Sequence, residues 1–134
     1  LTDKQLLKYS RQIMLPQIDI AGQEKLINSH VVIVGLGGLG SPVAMYLATS
    51  GIGKLTLIDD DVVDLSNLQR QIIHTENTIG LSKVKSAKKK LKQLNSECKI
   101  NCIEKRLDEK EFESLLNETT VLVDVVIILE RAFY

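Results

Sequence analysis

The chain has 134 residues, enough for one domain with a real core. Its 17 basic and 17 acidic residues cancel, which removes the whole-molecule attraction used by nucleic-acid and membrane-surface binders. No apolar run reaches the ~18–20 residues of a membrane span, the polar start LTDKQLLKYSRQ is not a secretory signal, and Cys98 and Cys102 make no disulfide framework, so a cytoplasmic protein is expected.

Thr2 is placed to cap a helix running to about Met14, and GQEKLINS (22–29) reads as a second short helix. VVIV (31–34) is a continuous apolar run of the kind buried in a parallel sheet. GLGGLG (35–40) then turns the chain into a helix, PVAMYLATS, that ends near Gly51, and KLTLID (54–59) is the second strand. After a loop, SKVKSAKKKLKQLN (82–95) carries Val84, Ala87, Leu91 and Leu94 on one apolar helical stripe. Lys88, Lys89, Lys90 and Lys92 lie opposite, either a solvated face or a contact for phosphate or a partner. KINCI (99–103) is a third strand, DEKEFESLL a helix, and TVLVDVVIIL (120–129) a fourth strand. Strands alternating with helices predict an α/β fold, a Rossmann-like parallel sheet with flanking helices. Residues 1–30 form an N-terminal helical arm and 31–134 the nucleotide-binding domain.

Gly35, Gly37 and Gly40 have G-x-G-x-x-G spacing between a strand and a helix, with Gly38 inside the turn. The first permits the tight turn, the second lets a phosphate approach the backbone, and the third allows close helix–strand packing. The run is not a Walker loop, because Ser41 and Pro42 stand where that loop needs its lysine. Asp59 ends the second strand 19 residues after Gly40, where a carboxylate accepts hydrogen bonds from ribose hydroxyls. NAD and ATP both carry that ribose, so Asp59 does not separate them. Asp60 and Asp61 are solvated loop charges or help to position a cation.

LSNLQRQ (65–71) is the discriminating stretch. Arg70 is a planar, permanently charged fork suited to phosphate oxygens. Asn67 shares its face if the segment makes a helical turn, with Gln71 one residue further round. Lys83 opens the next helix as a mobile point charge. Together these favour a polyphosphate, whose cleavage needs preorganised cations; hydride transfer by an NAD-dependent oxidoreductase needs none. By spacing alone they are equally surface charges on a loop.

YSRQI (9–13), GLGGLG, LTLIDDD (55–61), LSNLQRQ and the Gly80–Lys83 stretch, in that order, resemble the ThiF/MoeB family of sulfur-carrier adenylyltransferases, related to ubiquitin-activating enzymes. The resemblance covers the family's N-terminal half and leans to the thiamine-pathway branch. It implies ATP-dependent adenylylation of the C-terminal glycine of a small ubiquitin-like sulfur-carrier protein, in thiamine thiazole or molybdopterin biosynthesis. Arg70, Lys83 and Arg11 are the implied catalytic residues. Gly35, Gly37, Gly38, Gly40, Asp59, Asp61, Asn67, Arg70, Gln71 and Lys83 are the implied nucleotide-binding set. Arg11 resembles the arginine that reaches the neighbouring subunit's nucleotide, which implies a homodimer; without the family it is an ordinary helix-surface residue.

The chain also departs from the family pattern. Mg2+ is expected for the reaction, yet Ile127 and Ile128 stand where Asp124 should be followed by a metal-binding Asp and an Asn. The family's zinc-binding Cys-x-x-Cys pairs are absent, so no zinc is expected, and Cys98 and Cys102 read as buried or idle thiols. His30 and His74 read as surface or packing residues. For one choice of codons, deleting a single nucleotide from a family-like Asp-Cys-Ser-Asp-Asn-Phe-Arg-Thr-Arg segment yields residues 124–132, so a frameshifted or prematurely ended form is expected, with a non-catalytic nucleotide-binding remnant as the alternative. VLVDVVIIL is also too apolar for a sheet edge, and further chain is expected to cover it.

Overall fold

The computed structural model describes residues 1–124. The expectations for Ile127, Ile128 and the tail to residue 132 lie outside them. Helices α1 (Asp3–Lys8), α2 (Ser10–Ile13) and α3 (Asp19–Ile27) precede the sheet. Then follow β1 (His30–Val34), α4 (Gly40–Ser50), β2 (Lys54–Ile58), α5 (Lys83–Leu94), β3 (Lys99–Ile103), α6 (Glu109–Leu116) and β4 (Val121–Asp124). The four strands are all parallel in the order β3-β2-β1-β4, with flanking helices: the Rossmann-like sheet that the sequence predicts. Among the described residues no helix is long and apolar enough to cross a membrane.

The core explains why the two central strands are continuous apolar runs. Val31, Ile33, Leu55 and Leu57 are buried, and Ala44 and Ala48 of α4 with Val84, Ala87 and Leu91 of α5 close over the sheet. Leu94, expected on the same stripe, sits at the helix end and is 37% exposed. β4 lies at one edge, with Val121 half exposed.

The first predicted helix is broken. Tyr9 leaves helical geometry at φ −104° and ψ 14°, dividing α1 from α2. The break turns the Tyr9 ring inward, where it is buried and its hydroxyl accepts from Asn95 Nδ2 at 3.0 Å. Asn95 Nδ2 also donates to the Ala48 carbonyl at 2.8 Å, and Gln12 and Gln23 both donate to the Ser50 carbonyl. These amides bond to carbonyls at the end of α4, adding to the Gly51 N–H at Ala48 and serving the last carbonyl at Ser50. Tyr9 and Gln12 of YSRQI therefore fasten the arm to α4, and Arg11 between them stays exposed.

α4 ends on Gly51 in left-handed geometry, φ +101°. Its opposite end carries no side-chain cap, so the N-terminal dipole faces the glycine turn uncovered.

Candidate functional site

β1 pairs with β2 on one side and β4 on the other, and the strand order changes direction between β1 and β4. In open parallel sheets, ligands bind outside the carboxyl ends of the strands at such a point. A cavity of about 450 Å³ opens there, lined by Val34, Ile58 and Asp124 at three strand ends, by Asp59, Asp60 and Asp61, and by Arg106 and Phe112 from the β3–α6 side.

The glycine turn follows Val34, which lines the cavity, but none of Gly35, Gly37, Gly38, Gly40, Asn67, Arg70, Gln71 or Lys83 lines it. Gly35 takes φ +98°, which a side chain resists, and its N–H donates to the Ile58 carbonyl at 2.9 Å. Asp59 fixes the turn: Oδ2 accepts the Leu36 N–H at 2.8 Å and Oδ1 the Asp61 N–H at 2.8 Å. Its carboxylate is thus held in place by two backbone amides.

LSNLQRQ makes a short 3₁₀ turn at Leu65–Asn67, and the Arg70 N–H reaches the Asn67 carbonyl at 3.2 Å, so the expected shared turn forms. Asn67 Oδ1 caps that turn by accepting the Asp64 N–H at 3.0 Å. Arg70 lays its aliphatic stem against Gly38, within 3.8 Å of where a Cβ would stand, and its guanidinium donates to the Ser66 carbonyl at 3.2 Å. Gln71 is buried beside Gly37, 3.7 Å from the place of a Cβ there. Among the described residues, Gln71 Oε1 is buried without a hydrogen-bond partner. A buried acceptor left bare is costly, and a ligand hydroxyl would satisfy it. Side chains at Gly37 and Gly38 would fill the space between the turn and these two residues. Bare glycines, an orphaned amide and an arginine stem against the turn fit a nucleotide.

Lys83 corrects the expectation of a mobile charge. Its side chain is only 9% exposed, packed at the start of α5, with Nζ 3.5 Å from Asp61 Oδ2. Its backbone N–H also donates to the Asp61 carbonyl at 2.9 Å. Burial and the Asp61 pairing preorganise the ammonium beside the cavity. Asp60 pairs with Arg106 at 3.2 Å on the rim. The carboxylate oxygens of Asp59, Asp60 and Asp61 lie within 4.8 Å of one another. Arg11 remains on the exposed surface of α2, apart from these contacts.

Both histidines are buried, which the sequence left open. His30 Nδ1 donates to the Glu118 carbonyl at 2.8 Å and Nε2 accepts from Thr56 Oγ1 at 2.6 Å, tying β1 to β2 and to the end of α6. His74 bonds to Ser86 Oγ at 2.7 Å and to the Leu36 carbonyl inside the glycine turn at 3.1 Å. No sequence motif flagged His74; its only signal was a polar residue among the apolar neighbours Ile72 and Ile73. Cys98 is buried and Cys102 half-buried, neither in a disulfide, and burial pushes Cys98 up to about 11 and raises Cys102 as well.

Comparison with known proteins agrees with this geometry. The Molybdopterin-synthase adenylyltransferase of Escherichia coli (strain K12) is 46% identical over 124 residues, covering 92% of this chain and 50% of its own length. The Sulfur carrier protein ThiS adenylyltransferase of the same organism is 43% identical over 124 residues, covering 92% and 49%. The chain therefore spans about half the length of these curated relatives. Among solved structures, PaaA superposes with a TM-score of 0.86 at 32% identity, over 92% of this chain and 41% of that one. E. coli tRNA N6-threonylcarbamoyladenosine dehydratase, TcdA, in complex with ATP superposes with a TM-score of 0.84 at 26% identity, over 93% and 51%. The ThiF family model matches residues 9–127, from Tyr9 of YSRQI through the glycine turn and past β4, and the chain belongs to the ThiF family.

Proposed function

We propose that this chain binds ATP and carries the nucleotide half of an adenylyltransferase acting on the C-terminal glycine of a small ubiquitin-like sulfur-carrier protein. The observation that carries the reading is the convergence on one glycine turn of the Arg70 stem over Gly38 and the orphaned Gln71 amide beside Gly37. The named activities of the relatives support it.

In this reaction a carboxylate oxygen of the carrier attacks the α-phosphorus of ATP. The bond to the β-phosphate oxygen breaks, leaving a carrier acyl-adenylate and pyrophosphate. The protein supplies position and charge compensation. Asp59 receives the ribose hydroxyls, and a sugar hydroxyl satisfies Gln71 Oε1. Arg70, Lys83 and the amide of Asn67 face the phosphates, where Lys83 exchanges its Asp61 contact for phosphate oxygens. Asp60, paired with Arg106, and Asp124 line the cavity and would hold magnesium, which would neutralise charge on the triphosphate. Arg11, exposed on the arm, is available to the nucleotide of a second copy in a homodimer.

Thermal shifts with ATP and with NAD test the first step, since a ligand that binds only the folded chain raises its stability. ATP is expected to stabilise and NAD not; the reverse would favour hydride chemistry. ATP–pyrophosphate exchange in the presence of the ThiS and MoaD types of carrier then tests the reaction and tells the thiamine from the molybdopterin branch. Binding without exchange would leave a nucleotide-binding module.

A further inference from the structure

The Leu36 residue of the glycine turn is gripped at both its polar groups. Asp59 Oδ2 accepts its N–H at 2.8 Å, and its carbonyl lies 3.1 Å from His74 Nε2. A carbonyl only accepts, so Nε2 carries the hydrogen in this contact. Nδ1 of the neutral ring is then bare and accepts from the Ser86 hydroxyl at 2.7 Å. Both residues are buried, His74 at 4% and Ser86 at 0% exposure. The Ser41 hydroxyl approaches the same carbonyl at 3.4 Å but lies closer, 2.6 Å, to the Gly37 carbonyl, and it has one hydrogen to give.

The Leu36 carbonyl and the Gly37 N–H belong to one trans peptide plane and point in opposite directions. Holding the carbonyl against His74 therefore aims the Gly37 N–H away from the core. We propose that His74 is a positioning residue for the phosphate-facing turn: its Nε2–H tautomer, set by Ser86, locks the Leu36–Gly37 peptide so that the Gly37 amide stays presented to the anion. Only the affinity readout of this inference rests on the nucleotide reading above.

The ring's surroundings support a neutral imidazole. Burial lowers its pKa first, and the Lys83 ammonium on α5 lowers it further; the Leu36 carbonyl and the Asp59 carboxylate after β2 pull the other way. Protonation would put a second N–H against the Ser86 hydroxyl and force that hydroxyl to turn, while Nε2–H would stay on the Leu36 carbonyl.

Long-range proton–nitrogen NMR on the full chain reads the His74 tautomer directly. Nε2–H is expected, and Nδ1–H overturns the proposal. Calorimetric ATP titrations of wild type, His74→Gln and His74→Leu follow. The Gln amide can place an N–H near the Nε2 position, so its affinity is expected to stay within about threefold, whereas loss of the hydrogen bond in the Leu variant costs roughly tenfold. Gly37 amide exchange is expected to quicken in the Leu variant alone. Equal losses in both variants, or unchanged exchange, would mark His74 as packing and overturn the proposal. If His74→Leu does not fold, His74→Phe, a ring of similar size without the N–H, serves instead. Its Gly37 exchange is expected to quicken and its ATP affinity to fall roughly tenfold against His74→Gln, and no difference between the two variants overturns the proposal. Should wild type bind no ATP, the nucleotide reading fails, while the tautomer and the exchange of Gly37 still decide the role of His74.

Discussion

Gln71 and Arg70 are neighbours with opposite fates. Arg70 is exposed, with its apolar stem on Gly38 and its guanidinium on the Ser66 carbonyl; Gln71 is buried with an acceptor that nothing in the described chain meets. On the proposed reading, the orphan trades stability for binding. Gln71→Met, similar in size and without the bare oxygen, is expected to stabilise the ligand-free protein by about 1 kcal/mol in urea unfolding and to shrink the thermal shift given by ATP. A destabilised variant with an undiminished shift would count against Gln71 as a ligand residue. Arg70→Ala is expected to lower ATP–pyrophosphate exchange by about 10²–10³ while leaving the fold intact, because an exposed charge that stabilises the departing phosphate acts mainly on the reaction. The thiols make a simpler case. With Cys98 buried and its thiol raised to about 11, it should resist a thiol reagent at neutral pH until the chain unfolds; fast labelling of the native protein would contradict the packing.

At the scale of elements, the connection between arm and sheet is a set of side-chain amides on the end of α4. Asn95 joins Tyr9, Lys8 and the Ala48 carbonyl from the turn after α5, so one residue bonds to two distant parts of the chain. Asn95→Ala leaves buried partners bare and is expected to cost about 2–3 kcal/mol, read as a lower urea midpoint. Gly53 has a different reason to be fixed. A Cβ there would collide with the Ile27 carbonyl of α3, whose neighbour Leu26 accepts the Gly53 N–H at 3.1 Å. Backbone must move to admit it, so Gly53→Ala is expected to destabilise by about 3 kcal/mol, and a neutral result would mean that α3 is free to shift.

For the whole molecule, charge balance leaves stability to local groups. His74 is the clearest titrating one. Its folded pKa lies below the ordinary 6.5, so the unfolded chain binds the proton more readily. Stability is therefore full above about pH 6.5 and declines as pH falls from there through the depressed folded value. His74→Gln should flatten this part of the curve; identical slopes for variant and wild type would place the titration elsewhere.

Local chemistry wrote much of this molecule into its sequence. Apolar β-branched runs specify buried parallel strands whatever surrounds them, glycines at fixed spacing specify a turn that a phosphate can approach, and Asp59 follows from strand length. The ordered motifs through LSNLQRQ were enough to point to the family. Long-range packing decided what spacing cannot express. Lys83 looked mobile because a lysine stem is flexible and nothing nearby in sequence marks a partner, and it is buried because α5 docks beside Asp61. Tyr9 breaks a good helical pattern because burying its ring against Asn95, 86 residues away, outweighs one more turn of helix. His74 became part of the glycine turn through Leu36, 38 residues upstream. Sequence patterns report what a residue does with its chain neighbours, whereas burial and hydrogen-bond partners depend on which distant surface the fold brings against it.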